Sequence, residues 1–244
     1  QWIERIGESQ KHIYGSEESP DGESASSELD TFLSLSIGRI SEGYQQKEFS
    51  PVEIVGMCID QVERMDPSYR AWVNFDRQTL LEQARDLEVR LGLGQSCRLL
   101  EGIPVGVKDI FNTVGFPTQM GSPLWTGFTP GNDARSVFHI KRAGGFIAGK
   151  TESAELGVHA LGRTLNPHDS LRNPGTSSSG SAVAVATGMV PIALATQTAA
   201  SIVRPASFCG VYGCKPSFGV IPRTGVLKTT DSLDTVGFFT THLE

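Results

Sequence analysis

The sequence predicts an α/β fold, a mixed and mostly parallel twisted sheet surrounded by helices. Three observations predict it. From about residue 102 onward, short β-branched runs alternate with stretches of helical period. Glycine and proline punctuate the joins between them. One run, Ser181-Ala182-Val183-Ala184-Val185-Ala186, is small and apolar enough to press a helix into the interior. The 244 residues suit this class, since a compact body of that length has a radius of gyration of about 18 Å and can bury a core.

Taken in order, residues 1–30 are expected to form a flexible acidic N-terminal tail, because the Ser- and Glu-rich stretch 16–30 holds almost nothing that packs. The domain proper is expected over 31–244. Phe32, Leu35, Ile37 and Ile40 fall near a helical period within 31–46. Ser50-Pro51-Val52-Glu53 then combines a cap, an N1 proline and a returning Glu. The stripe Ile54, Val55, Cys58, Ile59, Val62 and Met65 continues as one helix, expected to stop before Asp66-Pro67. A third helix is expected from Arg77 to Leu91, burying Leu80, Leu81, Ala84, Leu87 and Leu91. Strands follow at Ile103–Val107, Phe146–Ala148 and Ile192–Thr196, separated by helices at Asp133–Ala143 and Ser179–Gly188.

Composition excludes several functions. With 27 acidic and 21 basic side chains the formal charge is −6, which offers nucleic acid and anionic lipid no general attraction. No apolar run approaches the roughly 18 residues of a membrane span, and no signal-peptide pattern opens the chain. Cys58, Cys97, Cys209 and Cys214 lack the short paired gaps of a zinc site and are too few for a disulfide framework. A reducing, cytoplasmic setting is the expectation.

Residues Gly144-Gly145-Phe146-Ile147-Ala148-Gly149-Lys150-Thr151 satisfy the phosphate-loop pattern G-x-x-x-x-G-K-[ST]. That motif needs a strand before its first glycine and a helix from its lysine. Here a helical stretch precedes, and Phe146-Ile147-Ala148 reads as a buried strand. Nucleotide binding is therefore the lesser alternative.

The richer signal lies between Pro174 and Pro216. Pro174-Gly175-Thr176-Ser177-Ser178-Ser179-Gly180-Ser181 leads into the small-residue helix; a strand follows, then Gln197-Thr198-Ala199-Ala200-Ser201-Ile202-Val203-Arg204-Pro205 opens another helix. Serines there can cap helices, and backbone N–H groups at such a helix start can stabilise an oxyanion. A serine nucleophile needs a base. The histidines (His12, His139, His159, His168, His242) sit near the ends, in an exposed helix or in connecting segments, and no G-x-S-x-G elbow is intact. Lysine is the alternative base. Lys108 ends the apolar strand Gly102-Ile103-Pro104-Val105-Gly106-Val107. A free lysine is neutral in only about one molecule in 2,500 at pH 7, so about 4–5 kcal/mol of differential stabilisation is needed. Burial beside Val105 and Val107 can supply the desolvation, provided that Asp109 points away.

These segments together resemble the amidase signature family. The resemblance covers about 31–239 and is carried by Gly102–Asp109, Ala143–Thr151, Asn166-Pro167-His168-Asp169, Pro174–Gly188, Phe208–Gly219 and Ser232-Leu233-Asp234-Thr235-Val236-Gly237. It implies the amidase-signature fold, with this chain as the N-terminal half of the full domain. It also implies hydrolysis of a small-molecule carboxylic acid amide through a Ser–cisSer–Lys triad. Ser201 would be the nucleophile. Ser177, placed before a cis peptide bond, would relay the proton, and Lys108 would be the base. The amides of Thr198, Ala199, Ala200 and Ser201 would form the oxyanion hole, and Ser178 would support the network. No metal or other cofactor enters the scheme, nor does direct contact with nucleic acid or membrane. A homodimer or a complementary chain is the expected assembly. Cys209 and Cys214 fall at core positions. The aromatic segment Phe111, Phe116, Met120 and Trp125 is read as core packing.

Two departures from the family pattern Asp-Thr-Gly-Gly-Ser-Ile-Arg matter. Gln197 and Val203 replace its Asp and Arg together, as a paired exchange that strands no charge. Ala199 and Ala200 replace its glycines, which would strain the backbone wherever φ is positive. They motivate one rival, a catalytically silent fragment or scaffold. Another rival within the family is a transamidating protein that works on misacylated tRNA with companion chains.

Overall fold

The computed structural model describes residues 35–158 and 160–243. The tail expected over 1–30, Phe32 and His159 lie outside the described residues. Helix α1, Ile37–Gln46, starts where Ser36 Oγ accepts from Arg39 N (3.1 Å). Helix α2, Pro51–Tyr69, opens on the predicted reciprocal cap: Glu53 N donates to Ser50 Oγ and Ser50 N to Glu53 Oε2. It does not stop before Asp66-Pro67 but runs on to Tyr69. Pro67 sits in the last turn, where little helix remains to disrupt. The chain leaves the helix at Arg70, in the left-handed region at φ 55°. Asp66 Oδ1 then accepts from the amides of Ala71 and Trp72.

Strand β1, Trp72–Phe75, was not legible in the sequence. Helix α3, Arg77–Gly92, is capped by Asp76. Next come β2 (Pro104–Lys108), α4 (Arg135–Arg142), β3 (Phe146–Thr151), α5 (Ser179–Ala186), β4 (Ile192–Gln197), α6 (Val203–Cys209), β5 (Tyr212–Cys214) and β6 (Thr235–Thr240). The sheet order is β1-β3-β2-β4-β6-β5. Its centre, β3-β2-β4, is parallel, and antiparallel strands flank it on both sides. The mixed α/β class is therefore as expected, with the parallel character confined to the three middle strands.

Those middle strands read as apolar runs because both faces are covered. Val105, Val107, Ala148, Ala193 and Ala195 are fully buried, and every residue of α5 is buried too. Small side chains let α5 approach the sheet closely. At Gly180 a Cβ would stand 2.3 Å from both Ala71 O and Glu152 N. Phe111, Phe116 and Met120 pack in the core, whereas Trp125 is exposed and stacks edge-on against Phe128. Cys209 is buried as expected. Cys214 is exposed, since it ends the short strand β5 at the border of the sheet.

The phosphate-loop reading fails here. Gly149, Lys150 and Thr151 belong to β3, so no loop exists to cradle a phosphate. Lys150 is fully buried, pairs with Asp109 at 3.1 Å, and donates to Phe111 O and Thr118 Oγ1, each at 2.8 Å. That ammonium is a core tie between β3 and the segment after β2.

Candidate active site

The C-terminal ends of the parallel strands β2 and β4 and the start of the antiparallel strand β6 meet at one end of the sheet. Register brings them there: Val107 pairs with Leu194, and Gln197 with Thr235. In such sheets the crevice beyond the carboxyl ends of the strands is the usual place for a ligand. An open cleft there is lined by Ile110, Ser177, Thr198, Ser201, Lys228 and Asp234, among others.

Lys108, the last residue of β2, is fully buried. Its Nζ donates to Ser177 Oγ at 2.7 Å and to Thr196 Oγ1 at 3.0 Å. Burial pulls its pKa down to about 7, only partly opposed by the negative charge of Asp234. Asp109 does point away, into its pair with Lys150. Thr196, a partner of Lys108 on β4, escaped the sequence reading. A threonine in a β-branched run carries no local signal beyond strand propensity.

Ser177 is held by backbone stitching. Ala154 N donates to Ser177 O (3.1 Å), Gly180 N to Glu152 O (3.1 Å) and Glu152 N to Ala71 O (2.8 Å). The peptide bond between Thr176 and Ser177 is cis. It therefore lies before Ser177, and not after it as the expected placement had it. Arg204 Nη2 donates to Thr176 O at 2.9 Å, tying that bond to α6. Ser178 is fully buried, and its Oγ donates to Thr196 O at 3.1 Å, linking the start of α5 to β4.

The turn from Thr198 to Ser201 is organised by Gln197. Its Oε1 accepts from the amides of Ile202 and Val203, both at 2.9 Å, while its Nε2 donates to Ala199 O at 3.0 Å. A carboxylate has no donor for that carbonyl, so the amide does here what an acid alone cannot. The exchange of Asp and Arg for Gln197 and Val203 leaves no orphaned charge. Ala199 and Ala200 are not among the residues with positive φ, so the feared strain is absent. Ser201 is half-buried and lines the cleft together with Ser177 and Thr198; Ala199 is exposed and Ala200 half-buried on the same turn.

Asp234, just before β6, is the residue that the sequence reading passed over. Its Oδ1 accepts from the hydroxyls of Thr198 (2.6 Å), Thr229 (2.7 Å) and Thr230 (3.0 Å), and its Oδ2 from the amides of Thr229 (2.7 Å) and Thr230 (2.9 Å). Burial alone would raise its pKa, but these donors outweigh burial and hold it at about 2. The motif Ser232–Gly237 flagged the position without giving it a task. Among the described residues no group of three or more His, Cys, Asp or Glu side chains could hold a metal. No described helix is long and apolar enough to cross a membrane.

A buried amine is thus hydrogen-bonded to a serine at the head of the parallel strands, and a second serine lines the same cleft. The chain belongs to the amidase family, whose model matches residues 53–244. It is 36% identical over 212 residues to a glutamyl-tRNA(Gln) amidotransferase subunit of Alkaliphilus metalliredigens, over 84% of this chain and 43% of that protein. The fold matches an amidase family protein from Bacillus anthracis with a TM-score of 0.81 at 26% identity, over 98% of this chain and 49% of that one. It also matches the peptide amidase of Stenotrophomonas maltophilia with a TM-score of 0.76 at 28% identity, over 85% and 45% of the two chains. The chain thus spans less than half the length of these proteins.

Proposed function

We propose that this chain cleaves the C–N bond of a carboxylic acid amide, giving the acid and ammonia or an amine, by way of an acyl-enzyme on Ser201. The observation that carries the reading is the 2.7 Å contact between Lys108 Nζ and Ser177 Oγ at a fully buried amine. With a pKa near 7, about half of the lysines are neutral at pH 7. The neutral amine takes the Ser177 proton as Ser177 Oγ takes that of Ser201. Ser201 Oγ bonds to the carbonyl carbon, and the carbonyl electron pair moves onto oxygen. The amides of Thr198, Ala199, Ala200 and Ser201 are the donors for that oxyanion. Collapse re-forms the carbonyl and expels the amine, which receives the proton back through Ser177. Water then attacks the ester, its proton following the same relay, and frees the acid and Ser201. Ser178 supports the relay by fixing the start of α5 against β4.

Ser201→Ala is expected to abolish turnover without unfolding the protein, and a fluorophosphonate is expected to label Ser201. Unchanged amidase activity in the variant would reject the assignment. A folded protein with no adduct would favour the silent scaffold.

The name shared by several relatives, that of a glutamyl-tRNA(Gln) amidotransferase subunit, favours a second reading. In it the same cleavage supplies ammonia for transamidation of misacylated tRNA alongside companion chains. Efficient hydrolysis by this protein alone, with no amidated tRNA formed when such chains and misacylated tRNA are added, would remove that reading.

A further inference from the structure

The β4–β6 register has a consequence beyond the triad. Gln197 pairs with Thr235 at the end of the ladder, so the next residues along, Thr198 and Asp234, come face to face. Their side chains bond at 2.6 Å. Asp234 also takes four donors from Thr229 and Thr230. These neighbour the cleft-lining Lys228 and Leu227. One carboxylate therefore ties the first residue of the candidate oxyanion turn to a wall of the cleft.

We propose that Asp234 is a positioning residue for this site, fixing the 198–201 turn through Thr198 while its permanent negative charge sits two residues before Val236, the register partner of the Thr196 that Lys108 bonds. The inference rests on the function proposed above. Other charged groups lie at this end of the molecule, among them Asp231, exposed three residues before Asp234. Asp109 and Lys150 pair with each other, and Arg223 donates to the carbonyls of Thr230 and Asp231 while stacking on Phe218. Lys228 is exposed and lines the cleft. Asp234 is the acid whose field reaches Lys108. In the relay it favours the ammonium that forms as Ser201 attacks, so the base is neither too weak nor fully protonated at neutral pH.

Two substitutions in the intact natural protein separate the two actions. Asp234→Asn keeps the shape: its oxygen can still accept from the amides of Thr229 and Thr230, and its NH2 can donate to Thr198 and one other hydroxyl that turns to accept. The charge and one hydroxyl contact are lost, while the Thr198 tether stays. Removing a negative charge disfavours the ammonium, so Lys108 should titrate lower by about half a unit or more. The readout is 13C NMR of ε-labelled lysine, together with the rising limb of the rate–pH profile. Thr198→Val keeps the charge and cuts the tether. It should lower kcat about tenfold with KM within about twofold, leave the Lys108 midpoint unmoved, and speed hydrogen exchange of the amides of 198–201. An unshifted midpoint in Asp234→Asn overturns the proposal, and so do unchanged kcat and exchange in Thr198→Val. If Asp234→Asn does not fold, the Thr198→Val measurements decide alone. If the wild type cleaves no amide, the hydrolytic reading fails, while the titration and exchange measurements still decide the placement of Asp234.

Discussion

At the scale of single residues, the site turns on what burial does to one amine. The Lys108 side chain is fully buried at the end of β2, and its two hydrogen-bond partners are neutral hydroxyls. The folded pKa near 7 lies below the unfolded value of 10.5. Between those values the unfolded chain binds more protons, so stability rises with pH from about 7 to about 10.5 and is lowest below 7. The charged state costs on the order of 5 kcal/mol there. Lys108→Met is expected to eliminate turnover and yet stabilise the fold, by about 2 kcal/mol at pH 6 once the unpaired Ser177 and Thr196 hydroxyls are set against the gain. The gain should shrink toward pH 9. Thermal melts at the two pH values test this; a variant less stable than the wild type at pH 6 would show that the amine carries no desolvation penalty.

At the scale of elements, α5 and the turn before α6 set the geometry. The small-residue run of α5 lets backbone meet backbone. Ala71, Glu152 and Gly180 are joined by main-chain hydrogen bonds, and Ala154 N, two residues on from Glu152, holds Ser177 O. Gly180→Ala places a methyl group 2.3 Å from two backbone atoms that cannot rotate away. It is expected to cost about 1–3 kcal/mol and to lower kcat more than it raises KM, because Ser177 moves with α5. Denaturant unfolding and steady-state kinetics on one preparation test both parts. The elements were largely legible in advance. The cap at Ser50, the stripe of α2, and the cores of β2 and β4 follow from periodicity and local chemistry. The missed strands are β1, β5 and β6. The first two are four and three residues long, too short for alternation to be read, and β6, six residues long, buries consecutive positions rather than alternate ones. The overrun at Pro67 depended on the Asp66 side chain finding the amides of Ala71 and Trp72, a contact that no spacing rule encodes.

At the scale of the whole molecule, titratable groups divide by location. The exposed histidines His139 and His168 are not among the residues lining the cleft. Amidase activity is therefore expected to rise with pH through about 7 on account of Lys108, because the base must be neutral to accept the first proton. His139→Asn and His168→Asn should leave that limb in place. A limb that moves with either histidine would transfer the base role away from Lys108. The strand order adds a further point: three carboxyl-terminal strand ends and one amino-terminal end deliver Lys108, Thr151, Gln197 and Asp234 to the same end of the sheet. Residues 108 and 177, remote in sequence, bond through this topology, and residues 177 and 201 come to line one cleft.

The sequence by itself determined the class of fold, the family, and the candidates Lys108, Ser177 and Ser201, because side-chain period and motif order are properties of the chain read in one dimension. It also held the false phosphate loop, which a local pattern could suggest but not remove. Tertiary structure alone decided that Lys150 is a core ion pair, that Gln197 shapes the turn in place of an acid, and that Asp234 reaches Thr198. Each of these rests on strand register and burial, and neither is fixed until distant segments have packed.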